Sequence, residues 1–163
     1  MEVEPAKAPV HCRTGLLPRI LVVEDEPDIR RLNAEVLKSF GYKVDAVEDG
    51  MAGWKALHSV HHASDSYALL ITDHEMPGLT GLVLVKKLRA ARMALPVIMA
   101  TGRLLPKDLF ARYHWLQPVA ALIKPYSVEQ LLGTVRAMLG TDDDAREPIE
   151  LLPNGLPVDG LRL

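Results

Sequence analysis

Three apolar runs in this chain end on ionisable residues. Ile20-Leu21-Val22-Val23 runs into Glu24-Asp25, Ala68-Leu69-Leu70-Ile71-Thr72 into Asp73, and Ala120-Ala121-Leu122-Ile123 into Lys124. A fourth run, Pro96-Val97-Ile98-Met99-Ala100, ends on Thr101. A short apolar run closed by a polar residue reads as a buried strand whose next residue reaches a sheet edge. Clustered carboxylates repel and raise one another's pKa values, a cost that a hard cation removes. Mg2+, or Mn2+ in its place, needs only one or two carboxylates and a carbonyl from the protein and keeps room for a phosphate oxygen. A carboxylate such as Asp73 can then attack a phosphoryl donor and become an aspartyl phosphate. That transfer depends on in-line placement and charge neutralisation, which the cation and Lys124 can provide. Thr101 offers a hydroxyl to a phosphoryl oxygen. One Asp after a strand is more often a helix cap or turn residue. The coincidence of acids, hydroxyl and ammonium across four strands is what points to function.

Short apolar runs alternate with amphipathic stretches over 19–140, the pattern of an α/β domain built on a parallel sheet. Strands are expected at 19–23, 43–47, 68–72, 96–100 and 119–123. The first, third and fourth are almost wholly apolar, as strands covered on both faces must be. The first helix is expected to start near Pro27, to bury a stripe of Ile29, Leu32, Val36, Leu37 and Phe40, and to stop at Gly41. Further helices are expected over 50–60, over 81–92 with Leu84, Val85 and Leu88 inward, and over 105–116. A fifth starts at Ser127, where Gln130 completes a capping box, and ends at Gly140. In open parallel sheets, functional groups gather at the carboxyl ends of the strands, where Glu24, Asp25, Asp73, Thr101 and Lys124 would all lie.

The 163 residues suggest one domain with tails: a leader over 1–18, a domain over 19–140, and a Pro- and Gly-containing segment over 141–163 too short for an output domain. A net charge of −2 points away from nucleic-acid and anionic-membrane partners. The single Cys12 excludes an internal disulfide. No apolar stretch approaches membrane-spanning length, and the first residues lack a signal-peptide core, so a cytoplasmic location is expected. His58, His61 and His62 read as a solvated turn, His74 as a surface residue, and Trp54 and Trp115 as partly buried anchors.

Four segments together resemble a response-regulator receiver domain: Ile20 to Pro27, Ile71 to Gly81, Pro96 to Gly102, and Lys124-Pro125-Tyr126. The resemblance covers about 19–140 in order. It implies a doubly wound, flavodoxin-like α/β fold with five parallel strands in the order 2-1-3-4-5. It implies Asp73 as phosphoacceptor, fed by a sensor histidine kinase or a histidine phosphotransfer protein. Glu24 and Asp25 match the acidic pair of the metal site, with Asp73 and the backbone carbonyl of Glu75 as further ligands. Thr101 and Lys124 match the residues that bind the phosphoryl group, and a cis bond is implied before Pro125. Glu75 and Arg103 fall where the family tunes phosphate lifetime, and are expected to pair across the site mouth. The switch position, usually aromatic, is Ala121.

The expected function is a signalling receiver that relays the phosphate or switches binding to an output protein. Beyond self-phosphorylation and slow self-dephosphorylation, no enzymatic activity is expected. Ala121 keeps an alternative open, a phosphate-independent interaction module on the same fold. Kinase, output protein and homodimerisation stay open.

Overall fold

Five runs of aliphatic and β-branched residues form one parallel sheet in the order β2-β1-β3-β4-β5. The strands are β1 Arg19–Val23, β2 Lys43–Val47, β3 Leu69–Asp73, β4 Val97–Thr101 and β5 Val119–Ile123. The structure is a computed structural model that describes residues 17–60, 65–102 and 112–140. Among these, four α-helices connect or follow the strands: α1 Pro27–Ser39, α2 Gly50–His58, α3 Gly81–Ala90 and α4 Val128–Leu139, the last of those expected. The expected leader, apart from residues 17 and 18, the segment 141–163, Arg103, His61, His62 and most of the expected helix over 105–116 lie outside the described residues.

Alternation along each strand divides the core in two. Ile20, Val22, Leu69, Ile71 and Ile98 face one side, with Leu37 of α1 and Leu131, Leu132 and Val135 of α4. Leu21, Val23, Leu70, Val97 and Met99 face the other, with Leu57 of α2 and Leu84, Val85 and Leu88 of α3. Burial on both faces explains why β1, β3 and β4 carry so little polar character.

Helix starts follow local chemistry. Pro27 occupies the first turn of α1. The side chains of Asp49 and Thr80 cap α2 and α3, accepting from Ala52 N at 2.7 Å and Val83 N at 3.4 Å. Ser127 and Gln130 form the expected capping box of α4.

Four expectations need correction. β3 and β4 each begin and end one residue later than expected, so Asp73 and Thr101 are the last strand residues. The ladder pairs Asp73 with Ala100, and His74 N still donates to Ala100 O at 2.7 Å. In α1 the buried residues are Asn33, Ala34 and Leu37, whereas Leu32 is 57% exposed. The helix is rotated so that its buried stripe runs past Asn33, which finds a polar partner described below. Residues His114–Leu116 form a 3-10 turn and not the end of an α-helix. Trp115 within it is exposed, not a buried anchor. Arg89 ties this turn to α3 by donating to the carbonyls of Leu116, Met93, Leu95 and Pro118 at 2.7–3.2 Å. Burial pulls its guanidinium pKa down.

At the other edge, Tyr67 Oη donates to Asp45 at 2.9 Å, and Arg19 pairs with the same carboxylate at 2.7 Å. Burial, then the bond to Asp45 and its charge, pushes the Tyr67 phenol up to about 12. A pKa raised on folding means that the protonated phenol stabilises the native state below its unfolded value of about 10. That contribution fades as pH rises towards 12. Tyrosinate absorbance is expected to show one late-ionising phenol, absent in Tyr67→Phe. The variant is expected to lose melting temperature less steeply than wild type between pH 10 and 12. Equal slopes would contradict the assignment.

Candidate functional site

The carboxyl ends of β1, β3, β4 and β5 bring Glu24, Asp25, Asp73, Thr101 and Lys124 to one rim of the sheet, as their positions in sequence require. Glu24 is 2% exposed and Asp73 8%, Thr101 is fully buried, and Asp25 is exposed. Lys124 Nζ donates to Glu24 Oε2 at 2.8 Å and lies 3.4 Å from Asp73 Oδ2. Glu24 Oε1 accepts from Glu26 N at 3.3 Å, and Asp73 Oδ1 from Glu75 N at 3.4 Å. Lys124 N donates to Thr101 O at 2.8 Å, which locks the end of β5 to the end of β4.

The charges are unbalanced. Burial raises the Glu24 pKa, and the bond from Lys124 with its charge offsets only part of that. Burial alone would lower the Lys124 ammonium, but the Glu24 bond and the charges of Glu24 and Asp73 outweigh it and raise its pKa. Carboxylate oxygens of Glu24, Asp25 and Asp73 lie within 4.8 Å of one another. Among the described residues one ammonium faces three carboxylates, and burial raises the pKa of Glu24. A hard divalent cation is the species that relieves this arrangement, so the residues present fit Mg2+.

The loop after Asp73 is pressed against the start of α3. Gly81 N donates to His74 O at 3.1 Å. A Cβ on Gly81 would collide with the Asp73 carbonyl oxygen, and would sit 3.0 Å from its carbon and 3.1 Å from His74 Cα. Gly81→Ala is therefore expected to lower stability by about 1–3 kcal/mol, the usual range for overpacking, as read by denaturant unfolding. Wild-type stability would show that α3 moves away without cost.

Arg30 and Asn33, at or near the site, were not singled out from sequence. Arg30 of α1 donates from Nη1 to Glu24 O at 2.7 Å and Asp25 O at 3.2 Å, gripping the backbone of the acidic pair. A cation so near a helix N-terminus opposes the macrodipole, a signal that it serves something else. Asn33, 3% exposed, donates from Nδ2 to Tyr126 Oη at 2.9 Å. Its trace in the sequence is one amide inside an apolar stripe. His74, expected at the surface, is half-buried, and its Nδ1 has no hydrogen-bond partner. Ala121 lies exposed in mid-β5, paired with Met99. The bonds Lys124–Pro125 and Gln117–Pro118 are both cis. Glu75 is exposed, and its expected pairing with Arg103 involves a residue outside the described set. His58 stacks on Trp54, with ring centroids 4.0 Å apart.

Comparison with known proteins agrees with this geometry. The family model described as the response regulator receiver domain matches residues 20–136. Response regulator RppA of Synechocystis is 39% identical over 122 residues, which cover 74% of this chain and 50% of that protein. The chain spans about half the length of the first curated relatives it matches. Chemotaxis protein CheY4 of Vibrio cholerae superposes with a TM-score of 0.66 at 26% identity, covering 76% of this chain and 99% of that one. Response regulator TrrA of Thermotoga maritima, solved in complex with Mg2+-BeF, gives a TM-score of 0.63 at 31% identity, covering 76% and 100%.

Proposed function

The chain belongs to the response regulator receiver family of two-component systems, and on that premise we propose that Asp73 is its phosphoacceptor in a Mg2+-dependent transfer. The observation that carries this reading is the Lys124 ammonium, 2.8 Å from Glu24 and 3.4 Å from Asp73, beside three carboxylates within 4.8 Å of one another. An Asp73 carboxylate oxygen attacks the phosphorus of a phosphohistidine on a sensor histidine kinase or phosphotransfer protein. The new O–P bond forms as the P–N bond breaks, and the electron pair leaves with the imidazole, which takes up a proton. Lys124 stabilises the phosphoryl oxygens, and Thr101 donates a hydroxyl bond to one of them. Glu24, Asp25, Asp73 and the Glu75 carbonyl would hold the cation. Bound Mg2+ supplies the remaining charge neutralisation. The complex of TrrA with Mg2+-BeF supports the same pairing of cation and anion here.

Residues 19–140 form the receiver unit. Glu75 and Arg103 modulate the lifetime of the phosphate, and Ala121 stands at the switch position. The output is a phosphate relay or altered binding of a partner protein, with no reaction on external substrates. No helix among the described residues is long and apolar enough to cross a membrane, and a cytoplasmic location suits a kinase-fed receiver. The comparisons do not favour the phosphate-independent alternative over this reading.

The test is incubation with Mg2+ and a small acyl phosphate, followed by intact mass. A gain of one phosphoryl group, lost on chelation, is expected. No gain in folded protein from either the acyl phosphate or a cognate kinase would refute the reading.

A further inference from the structure

We infer that Asn33 and Tyr126 form a brace that positions Lys124 for phosphoryl transfer, a role that rests on the reading above. Lys124 stands at the start of the connection from β5 to α4. Its amide is tied to Thr101 O at 2.8 Å. The far end of the connection is held by the Ser127 capping box. Between them, Tyr126 enters the core against α1 and α4, and its Oη accepts from Asn33 Nδ2 at 2.9 Å across 93 residues of sequence.

Helix α1 thereby grips both halves of the site. Arg30 holds the carbonyls of Glu24 and Asp25. Three residues on, and so on a neighbouring part of the same helix face, Asn33 holds the connection that carries the ammonium. One rigid helix thus sets the distance from Lys124 to the acidic pair. Packing leaves part of this junction unfilled. A groove of about 350 Å³, lined by Ile29, Leu32, Asn33, Lys124, Pro125 and Tyr126, lies between α1 and the connection. The Asn33–Tyr126 bond spans elements that side chains leave partly unfilled. The Lys124 charge also acts on the Tyr126 phenol, which places the two groups in one electrostatic neighbourhood. A buried Asn that merely satisfies a core hydroxyl would stabilise the fold and leave the lysine indifferent.

The double variant Asn33→Leu/Tyr126→Phe separates these roles. Removing both polar groups together leaves no buried orphan, and such replacements are often near neutral in stability. Tyr126→Phe alone is the second variant, should the double one fold poorly. Two quantities are read in the full chain: phosphoryl uptake from acyl phosphate with Mg2+, and hydrogen exchange at the Lys124 amide. The brace predicts uptake at saturating donor about tenfold slower, the scale of one lost hydrogen bond, with the half-saturating donor concentration unchanged. It predicts Lys124 amide exchange about tenfold faster, with amides of β1 and β3 unaffected. Wild-type values for either readout in a folded variant overturn it. Should wild type itself take up no phosphoryl group, the functional reading fails, and exchange at Lys124 alone decides the brace.

Discussion

Asp73→Asn is expected to abolish Mg2+-dependent phosphoryl uptake while leaving the fold intact. The amide matches the carboxylate in shape, but its oxygen is a far weaker nucleophile. It also brings one charge fewer to a site whose cation needs carboxylate oxygens. Structural loss should be small, because the closer partner of Lys124 is Glu24 at 2.8 Å, and Asp73 is the longer contact at 3.4 Å. The substitution therefore removes the proposed attacking atom without freeing the ammonium. Intact mass after incubation with acyl phosphate checks it, with circular dichroism as the control on folding. Uptake at the wild-type level, mapped by peptide mass to His74 or Asp25, would move the acceptor.

Lys124→Met should slow uptake by about 10²–10³-fold, the usual cost of removing one preorganised electrostatic donor. The Met side chain keeps much of the apolar stem. What is lost is the ammonium that, among the described residues, lies between Glu24 and Asp73. Without it, a carboxylate that burial already pushes towards its protonated form loses the interaction that opposes the shift. Stability without Mg2+ is expected to fall by about 1–3 kcal/mol, the cost of leaving a buried polar group unpaired. The full penalty of a broken buried ion pair does not apply, because burial already raises the Glu24 pKa and the carboxylate left without the ammonium can take up a proton. Mg2+ should restore much of that loss, since a divalent cation compensates the same carboxylates. Denaturant unfolding with and without Mg2+ reads the first effect, and the rate of mass gain reads the second. Uptake within about threefold of wild type, under 1 kcal/mol of barrier, would show that Lys124 only seals the rim.

The two variants act on residues separated by 51 positions in sequence but joined at one rim. Asp73→Asn removes the proposed nucleophile and spares the Lys124–Glu24 pairing. Lys124→Met removes the pairing and spares the nucleophile. Asp73→Asn should therefore lose uptake with little loss of stability. Lys124→Met should lose both, with a stability loss that Mg2+ reverses.

Much of this site is legible in the sequence. A short apolar run reads as a strand, interior for β1, β3 and β4 and at the edge for β5, and the residue that ends it reaches the carboxyl rim of the sheet. Glu24, Asp73, Thr101 and Lys124 therefore announced themselves by position. The capping box at Ser127 and Gln130 likewise depends on residues three apart. These are local properties, set by backbone period and hydrogen-bond reach. Residue identity and spacing are enough to specify them.

Other features depended on the assembled fold. Lys124 lies closer to Glu24, 100 residues away, than to Asp73, a preference that strand order and register impose. Apolar periodicity misassigned Leu32, because period alone cannot choose between adjacent residues when a polar one has a buried partner. Asn33 turns inward because Tyr126 meets it there, and Leu32 turns out to the groove. The final residues of β3 and β4 join the sheet because their ladder partners continue beside them. Which residues reach the rim follows from the order of residue types along the chain, since alternation and strand ends are written locally. Which of them touch is a property of the assembled fold, since those contacts join groups 51 to 100 residues apart whose meeting depends on the packing of every element between them.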